Sequence, residues 1–330
     1  MSHRKTAQLI AFGLLVGVVT AAFGQSAKPG ATDYPTKPVR WIVPFPPGAS
    51  NDIIARLIGQ KLTEAWSQQF VIDNRPGAGG LIGGEIVARA QPDGHTLLLA
   101  NPAPNVNSPL LARVPTYGAA DFASIIYIGY APLILVANPA FPPRNPREFL
   151  DYMKANPNKV NWASSGIGSS LHIGLALLQA ATGAQVVHVP YKGTAPALTD
   201  IVGGQIHGMY TTTVSAEVQI KAGRVKVIGI ASAKRTPLLP QVATLAESGI
   251  KDAEAVVWFG MSAPAKTPRA IIDQLNREVN RILGLADVKA RLDQLGLEIA
   301  GGTPEDFDRF IKVEVAKVSK LIKAGLLKVE

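Results

Sequence analysis

Cysteine is absent from all 330 residues, which excludes disulfides, thiolate metal sites and thiol nucleophiles at once. Aromatic residues make up only 6% of the chain and charged residues only 17%. The first figure leaves no row of stacking platforms for nucleic-acid bases, and the second is too low for a self-repelling disordered chain. No segment recurs at the roughly 20- to 50-residue period of solenoids and propellers. Histidine is scarce, and His95, His172, His188 and His207 show neither H-E-x-x-H nor another metal-binding spacing. No lysine follows a glycine loop as in a Walker motif, and Gly166-Ile167-Gly168-Ser169-Ser170 has glycine where the nucleophile of G-x-S-x-G belongs. Gly77-Ala78-Gly79 follows a strand pattern, but the third glycine of a dinucleotide fingerprint would fall on Ile82, and Gly83 comes one residue late. The residues therefore call for no catalytic group, no metal and no cofactor.

What is present describes a folded chain. Apolar residues are 47%, with 31 glycines and 25 prolines, a globular rather than low-complexity composition, and the length suits two cores of ordinary size. Lysine plus arginine exceed aspartate plus glutamate, 33 to 24, for a formal charge of +9. The basic residues are scattered, the longest runs being the pairs Arg4-Lys5 and Lys234-Arg235. That distribution is a solvated basic surface, a field that helps gather small anions, and not a nucleic-acid stripe. Residues 1–24 combine a basic start (His3, Arg4, Lys5), an apolar run from Leu9 to Val19, and small residues Ala22 and Gly24 before Gln25. This is the pattern of a signal peptide cut near Gly24, and it predicts an exported, periplasmic protein. The charge-free stretch from Ser124 to Pro143 is interrupted by Pro132, Pro139, Pro142 and Pro143 and reads as strand plus turn rather than a membrane span.

Strands that run into helix starts recur along the chain. Val39 to Val43 is β-rich and breaks at Pro44-Phe45-Pro46-Pro47-Gly48-Ala49-Ser50, after which Ile53, Ile54, Leu57, Ile58 and Leu62 share a helical face, with Ser50 or Asn51 as the cap. Further units run from Gln69 through Arg89, from Thr96 to Asn101, from Lys159 into the helix marked by Leu171, Leu175 and Leu178, and from Gln185 into a helix capped by Thr194. Residues 271–283 and 304–321 form long amphipathic helices. Alternation of this kind predicts an α/β fold with mostly parallel sheets.

The connecting loops share a chemistry. Each is short and built of glycine, serine, threonine and asparagine, so that backbone N–H groups and hydroxyls face outward at the positive end of a helix dipole. Such a loop is an anion pocket that takes a carboxylate as readily as a phosphate. The most informative loop carries Ser164, Ser165, Ser169 and Ser170 around Gly166 and Gly168. His172 lies in the following turn, within reach of an anion or of a structural partner, and His188 falls in an apolar strand and reads as core. Open α/β sheets bind ligands at such loops.

Tyr34-Pro35-Thr36-Lys37-Pro38-Val39-Arg40, Val43-Pro44-Phe45-Pro46-Pro47-Gly48, Asn74-Arg75-Pro76-Gly77-Ala78-Gly79-Gly80, Pro92-Asp93-Gly94-His95-Thr96-Leu97-Leu98, Ala163-Ser164-Ser165-Gly166, His188-Val189-Pro190-Tyr191-Lys192-Gly193-Thr194-Ala195-Pro196-Ala197 and Trp258-Phe259-Gly260 occur in this order. Together they resemble the Bug-type substrate-binding proteins of tripartite tricarboxylate transporters, from Tyr34 almost to the C-terminus. The resemblance implies a two-lobed periplasmic-binding-protein architecture of type II, flytrap-like, with a central sheet in each lobe. Lobe one is expected over 33–127 and 261–330, lobe two over 128–260, with hinges near 128 and 260. It implies a monomeric, non-enzymatic receptor that closes on a small organic anion, a carboxylate or dicarboxylate, and passes it to membrane permease subunits or to a signalling partner. The competing reading, an exported α/β enzyme acting on small organic acids, has no nucleophile, base or cofactor loop to support it.

Carried over by position, Phe45, Gly48, Ala49, Ser50, Asn51 and Asp52 belong to the first-lobe loop that holds a carboxylate through bridging waters. Ser164, Ser165, Gly168, Ser169 and Ser170, with His172, belong to the second-lobe loop that bonds it directly. Asn101, Tyr191, Lys192, Gly193 and Thr194 lie along the cleft. The chain departs from the family pattern at Ala49, at Asn51, and above all at Thr211, where the family usually has an acid after Met209-Tyr210. Loss of a carboxylate that would pair with an ammonium predicts a preference for acids, aromatic ones included, over amino acids.

Overall fold

The computed structural model describes residues 33–325 and 327–329; the expected signal peptide lies outside the described residues. Two mixed sheets organise the chain. The first has the order β11-β4-β10-β3-β1-β2, from β1 (Val39–Val43), β2 (Phe70–Asn74), β3 (Thr96–Ala100), β4 (Phe122–Pro132), β10 (Val256–Pro264) and β11 (Glu298–Ile299). The second has the order β7-β6-β8-β5-β9, from β5 (Ile134–Ala137), β6 (Asn161–Ser164), β7 (Val187–Pro190), β8 (Gly208–Thr211) and β9 (Lys226–Ile230). In each sheet three strands are parallel, β2-β1-β3 and β7-β6-β8, while the remaining pairs are antiparallel. The mostly parallel expectation is corrected accordingly. The chain leaves the first sheet along β4 and returns along β10, and an outgoing and a returning strand laid side by side must run in opposite directions.

Helices cover both faces of the first sheet, as the period-2 alternation of its strands requires. Val39, Trp41, Val43, Leu97 and Leu99 share a core with Ile54, Ile58 and Leu62 of α1 (Ser50–Trp66) and Ile272, Leu275 and Val279 of α8 (Arg269–Leu283). Ile42 and Leu98 instead join Val87 of α2 (Leu81–Ala88). A π-helical turn at Ala103–Asn107 runs into α3 (Ser108–Leu111), and α9 (Ala286–Gln294) precedes β11. The second sheet carries α4 (Pro146–Ala155), α5 (Ser170–Thr182), α6 (Thr194–Val202) and α7 (Thr213–Lys221).

The sheets meet where three segments cross. The Leu133 N–H donates to the Ala255 carbonyl (3.0 Å), Ala255 N–H to Ala231 (2.8 Å) and Ala231 N–H to Leu133 (2.8 Å), a closed ring of backbone hydrogen bonds. Ile128 and Gly260, where hinges were expected, lie inside β4 and β10, which stay paired as far as Pro132 and Val256.

The last long helix, α10 (Pro304–Lys323), begins with a capping box between Thr303 and Asp306. Its Phe307 is fully buried against Trp258, ring centroids 5.6 Å apart at 84°. A side chain at Gly260 would come within 2.3 Å of the Phe307 ring, so glycine there lets the helix lie directly on β10. Phe307→Ala is expected to destabilise the protein by about 3–5 kcal/mol, read as a lowered denaturant midpoint against wild type. An unchanged midpoint would show that this contact does not hold α10 in place.

Candidate functional site

Four helices of the two lobes begin around one small cavity. It has a volume of about 20 Å³ and is bounded by Ser50 and Asn51 at the start of α1, Ser169, Ser170 and Leu171 at the start of α5, Thr194 at the start of α6, and Thr212 and Ser215 at the start of α7. Phe45, Asn101, Ser165 and Val257 complete the wall. These helices follow strands β1, β6, β7 and β8, so the cavity sits at the carboxyl ends of strands from both sheets. Each helix presents first-turn N–H groups that its own backbone cannot satisfy, together with the positive end of its dipole. No lysine, arginine, aspartate or glutamate is among the described lining residues. The polar character of the lining comes from peptide dipoles, hydroxyls and the amides of Asn51 and Asn101.

The polar groups are arranged ahead of any ligand. Asn101 donates from Nδ2 to Asn51 Oδ1 (3.0 Å), accepts the Ala103 N–H at Oδ1 (3.1 Å), and gives its own N–H to Asn105 Oδ1 (3.0 Å). Across the cleft, the Ser50 N–H donates to Ser215 Oγ (3.2 Å), which also accepts from Thr212 Oγ1 (3.0 Å). Ser169 caps α5 by accepting the His172 N–H (3.2 Å). The Ser170 hydroxyl is buried with no partner among the described residues, an uncompensated group that a ligand oxygen would satisfy. The lobes touch: a side chain at Gly79 would meet the Ile167 carbonyl at 1.9 Å, and one at Gly168 would meet Ser108 at 2.5 Å.

Of the residues singled out in the sequence, Phe45, Ser50, Asn51, Asn101, Ser165, Ser169, Ser170 and Thr194 come together on this wall. The others sit behind or beside it. Asp52 accepts from the Gly48 N–H (3.0 Å), Arg56 Nε (3.0 Å) and Asn74 Nδ2 (3.1 Å). Burial by itself would raise its carboxyl, but these hydrogen bonds prevail and hold it below the usual range. Ala49 is the extended N-cap residue of α1, and Gly168 packs on Ser108. Thr211 ends β8 with its hydroxyl buried and unpartnered among the described residues. Its neighbour Thr212, with Ser215, Leu171 and Val257, lines the cavity and was not anticipated. The run Thr211-Thr212-Thr213-Val214-Ser215 behind an apolar strand is the signal that marked the other loops. Tyr191 lies beside the cavity, its hydroxyl donating to Asp200 (2.6 Å).

Ser164 and the histidines form the frame of the α5 loop. Ser164 Oγ lies 2.6 Å from His188 Nε2 and accepts the Gly166 N–H (3.1 Å). His188 stacks on His172, centroids 4.2 Å apart and planes within 9°, and His172 Nδ1 accepts the Gly168 N–H (3.2 Å). His188 is thus half-buried and bonded, where the sequence suggested core. It lies in β7, an edge strand whose residues all keep some exposure.

Two α/β lobes in contact across a cleft walled by helix starts define a two-lobed solute-binding protein. The family described as tripartite tricarboxylate transporter family receptor (TctC) matches residues 54–327, and the chain belongs to that family. It is 38% identical over 311 residues to the UPF0065 protein in the tcbD-tcbE intergenic region of Pseudomonas sp. (strain P51), covering 94% of this chain and 93% of that protein. It is 32% identical over 311 residues to Protein BugT of Bordetella pertussis, covering 94% and 95%. Among solved structures, R. palustris Rpa4515 with adipate matches with a TM-score of 0.85 and 34% identity over 88% of this chain and 98% of that one. MatC (Rpa3494) from Rhodopseudomonas palustris with bound malate matches with a TM-score of 0.83 and 31% identity over 88% and 100%. The resemblance to Bug-type receptors is borne out, as is the two-lobed α/β class, and the chain is a receptor of a transport system and not an enzyme.

The histidine pair gives the loop a pH dependence. Burial, with the neighbouring His172 adding to it, pushes His188 down from 6.5 to about 4. The unfolded chain therefore binds a proton at a pH where the folded one does not. Stability from neutral His188 is complete above about pH 6.5 and declines as the pH falls toward about 4. Melting temperatures of wild type and His188→Gln, measured from pH 7 down to 4.5, should converge on acidification. A gap that stays constant would remove His188 from the acid response.

Proposed function

We propose that this receptor captures a small carboxylate or dicarboxylate, aromatic acids included, in the cleft between its lobes, and delivers it to the permease subunits of a tripartite tricarboxylate-type transporter. The observation that carries the reading is the meeting of four helix N-termini at a cavity whose polar lining is hydroxyls and amides, with no charged side chain among its described residues. Such a site stabilises a carboxylate through charge-assisted hydrogen bonds from fixed donors. The adipate and malate bound by the two R. palustris proteins are acids of this class.

In this reading the protein acts as a periplasmic monomer after removal of residues 1–24 near Gly24. Its lobes divide at the ring formed by Leu133, Ala231 and Ala255 and close by hinge motion. Ser50, Asn51 and Asn101 meet the ligand from the first lobe, and Ser165, Ser169, Ser170, Thr194, Thr212 and Ser215 from the second. With Thr211 in place of an acid and no carboxylate on the described wall, an ammonium finds no partner, so acids are favoured over amino acids.

A thermal-shift screen of the refolded mature protein against mono-, di- and tricarboxylates, aromatic acids and amino acids tests the class. A ligand at about 100 times its Kd adds roughly 2.7 kcal/mol of stability, and the melting temperature should rise with acids. Tighter calorimetric binding of aspartate or glutamate than of the matched acids without an amino group would defeat the selectivity. Ser165→Ala should weaken binding by about 1–3 kcal/mol while leaving the unliganded melting temperature in place. Ser169→Ala should lose both affinity and about 1 kcal/mol of stability, because Ser169 also caps α5.

A further inference from the structure

We infer that the ligand reaches out of the helix-end cavity into a second chamber, and that Lys192 pairs there with its far anionic end. The receptor would then select acids with an apolar body and two negative ends. The inference rests on the carboxylate reading of the inner cavity and adds what lies at the other end.

Volume carries the first step. A space of roughly 10–15 Å³ is about the least that accommodates one water, and the inner cavity measures about 20 Å³. That is little more than one water needs and far too small for the body of an acid. Phe45 and Ser165 line this cavity and also a chamber of about 200 Å³. The two spaces thus adjoin at Phe45 and Ser165, and the larger has the volume for the rest of a ligand.

The chamber's chemistry carries the second step. Phe45, Ala78, Ile167, Pro190 and Tyr191 give it apolar walls, and glycine backbone from residues 77–80 and Gly166 supplies much of the remainder. Such surfaces suit a methylene chain or a ring. The Tyr191 ring is fixed by its hydrogen bond to Asp200, which leaves that acid engaged. Lys192 is the only charged residue among the described residues of the wall. It is exposed and makes no ion pair with another described residue. A ligand with a carboxylate at the helix starts and a second one at Lys192 satisfies both ends and buries its middle.

The test titrates the mature protein and Lys192→Gln with two matched pairs of probes, adipate against hexanoate and terephthalate against benzoate. Wild type should bind at least one diacid more tightly than its matched monoacid. Lys192→Gln should weaken that diacid about two- to fivefold, the range of an exposed ion pair, and leave the monoacid unchanged. The difference should shrink at high ionic strength, since an exposed pair is screened. Diacid affinity unchanged in the variant, or equal losses for diacid and monoacid, would overturn the role of Lys192 with the inner site intact. Failure of all four acids to bind wild type would overturn the carboxylate reading and this inference with it.

Discussion

The first turn of an α-helix carries N–H groups that its own backbone cannot satisfy, and this fold directs four such turns at one point. Everything else around the site serves that arrangement. The strands deliver α1, α5, α6 and α7 with their starts facing one another, and the short polar loops keep bulk and charge away. Supporting residues use their side chains elsewhere: Asp52 ties the α1 loop to Arg56 and Asn74, and Ser164 with His188 braces the α5 loop. An attraction assembled from dipoles and hydroxyls needs no buried cation, so the unliganded cleft avoids the desolvation that a buried lysine or arginine would incur.

The large elements were legible because each had a local cause. Ile54, Ile58 and Leu62 at helical spacing gave α1, and the amphipathic pattern over 304–321 gave α10. The mixed sheets were not legible, since the direction of a strand depends on where the chain crosses between lobes, which no local pattern records. The caps erred for an instructive reason. Ser50 and Thr194 looked like N-caps, yet Ala49 and Gly193 hold those positions. The hydroxyl-bearing residues sit inside the first turn and line the cavity instead of closing the helix. A sequence signal for capping here marked residues of the cavity wall.

The wall of the site was legible on both sides where a loop is rich in glycine and serine, and less so at α7. Thr211 drew notice for the acid it replaces, but it is the last residue of β8 and its hydroxyl is buried. The residues that reach the cavity, Thr212 and Ser215, come one and four positions later, after the strand has ended. Single-residue offsets of this kind reverse the facing of a side chain in a strand, and only the three-dimensional register resolves them.

The contact between Gly79 and residues 166–167 sets how closely the two lobes lie. Backbone lies against backbone there, with 3.4 Å between the Gly166 Cβ position and Gly79 Cα, and the left-handed conformations of Gly79, Gly166 and Gly168 are open to glycine at little cost. A latch made this way has almost no play. One methyl on Gly79 would lie 1.9 Å from the Ile167 carbonyl oxygen, so only glycine lets the two lobes lie this close. The spacing of the two lobes at this point is thus set by a single carbon atom.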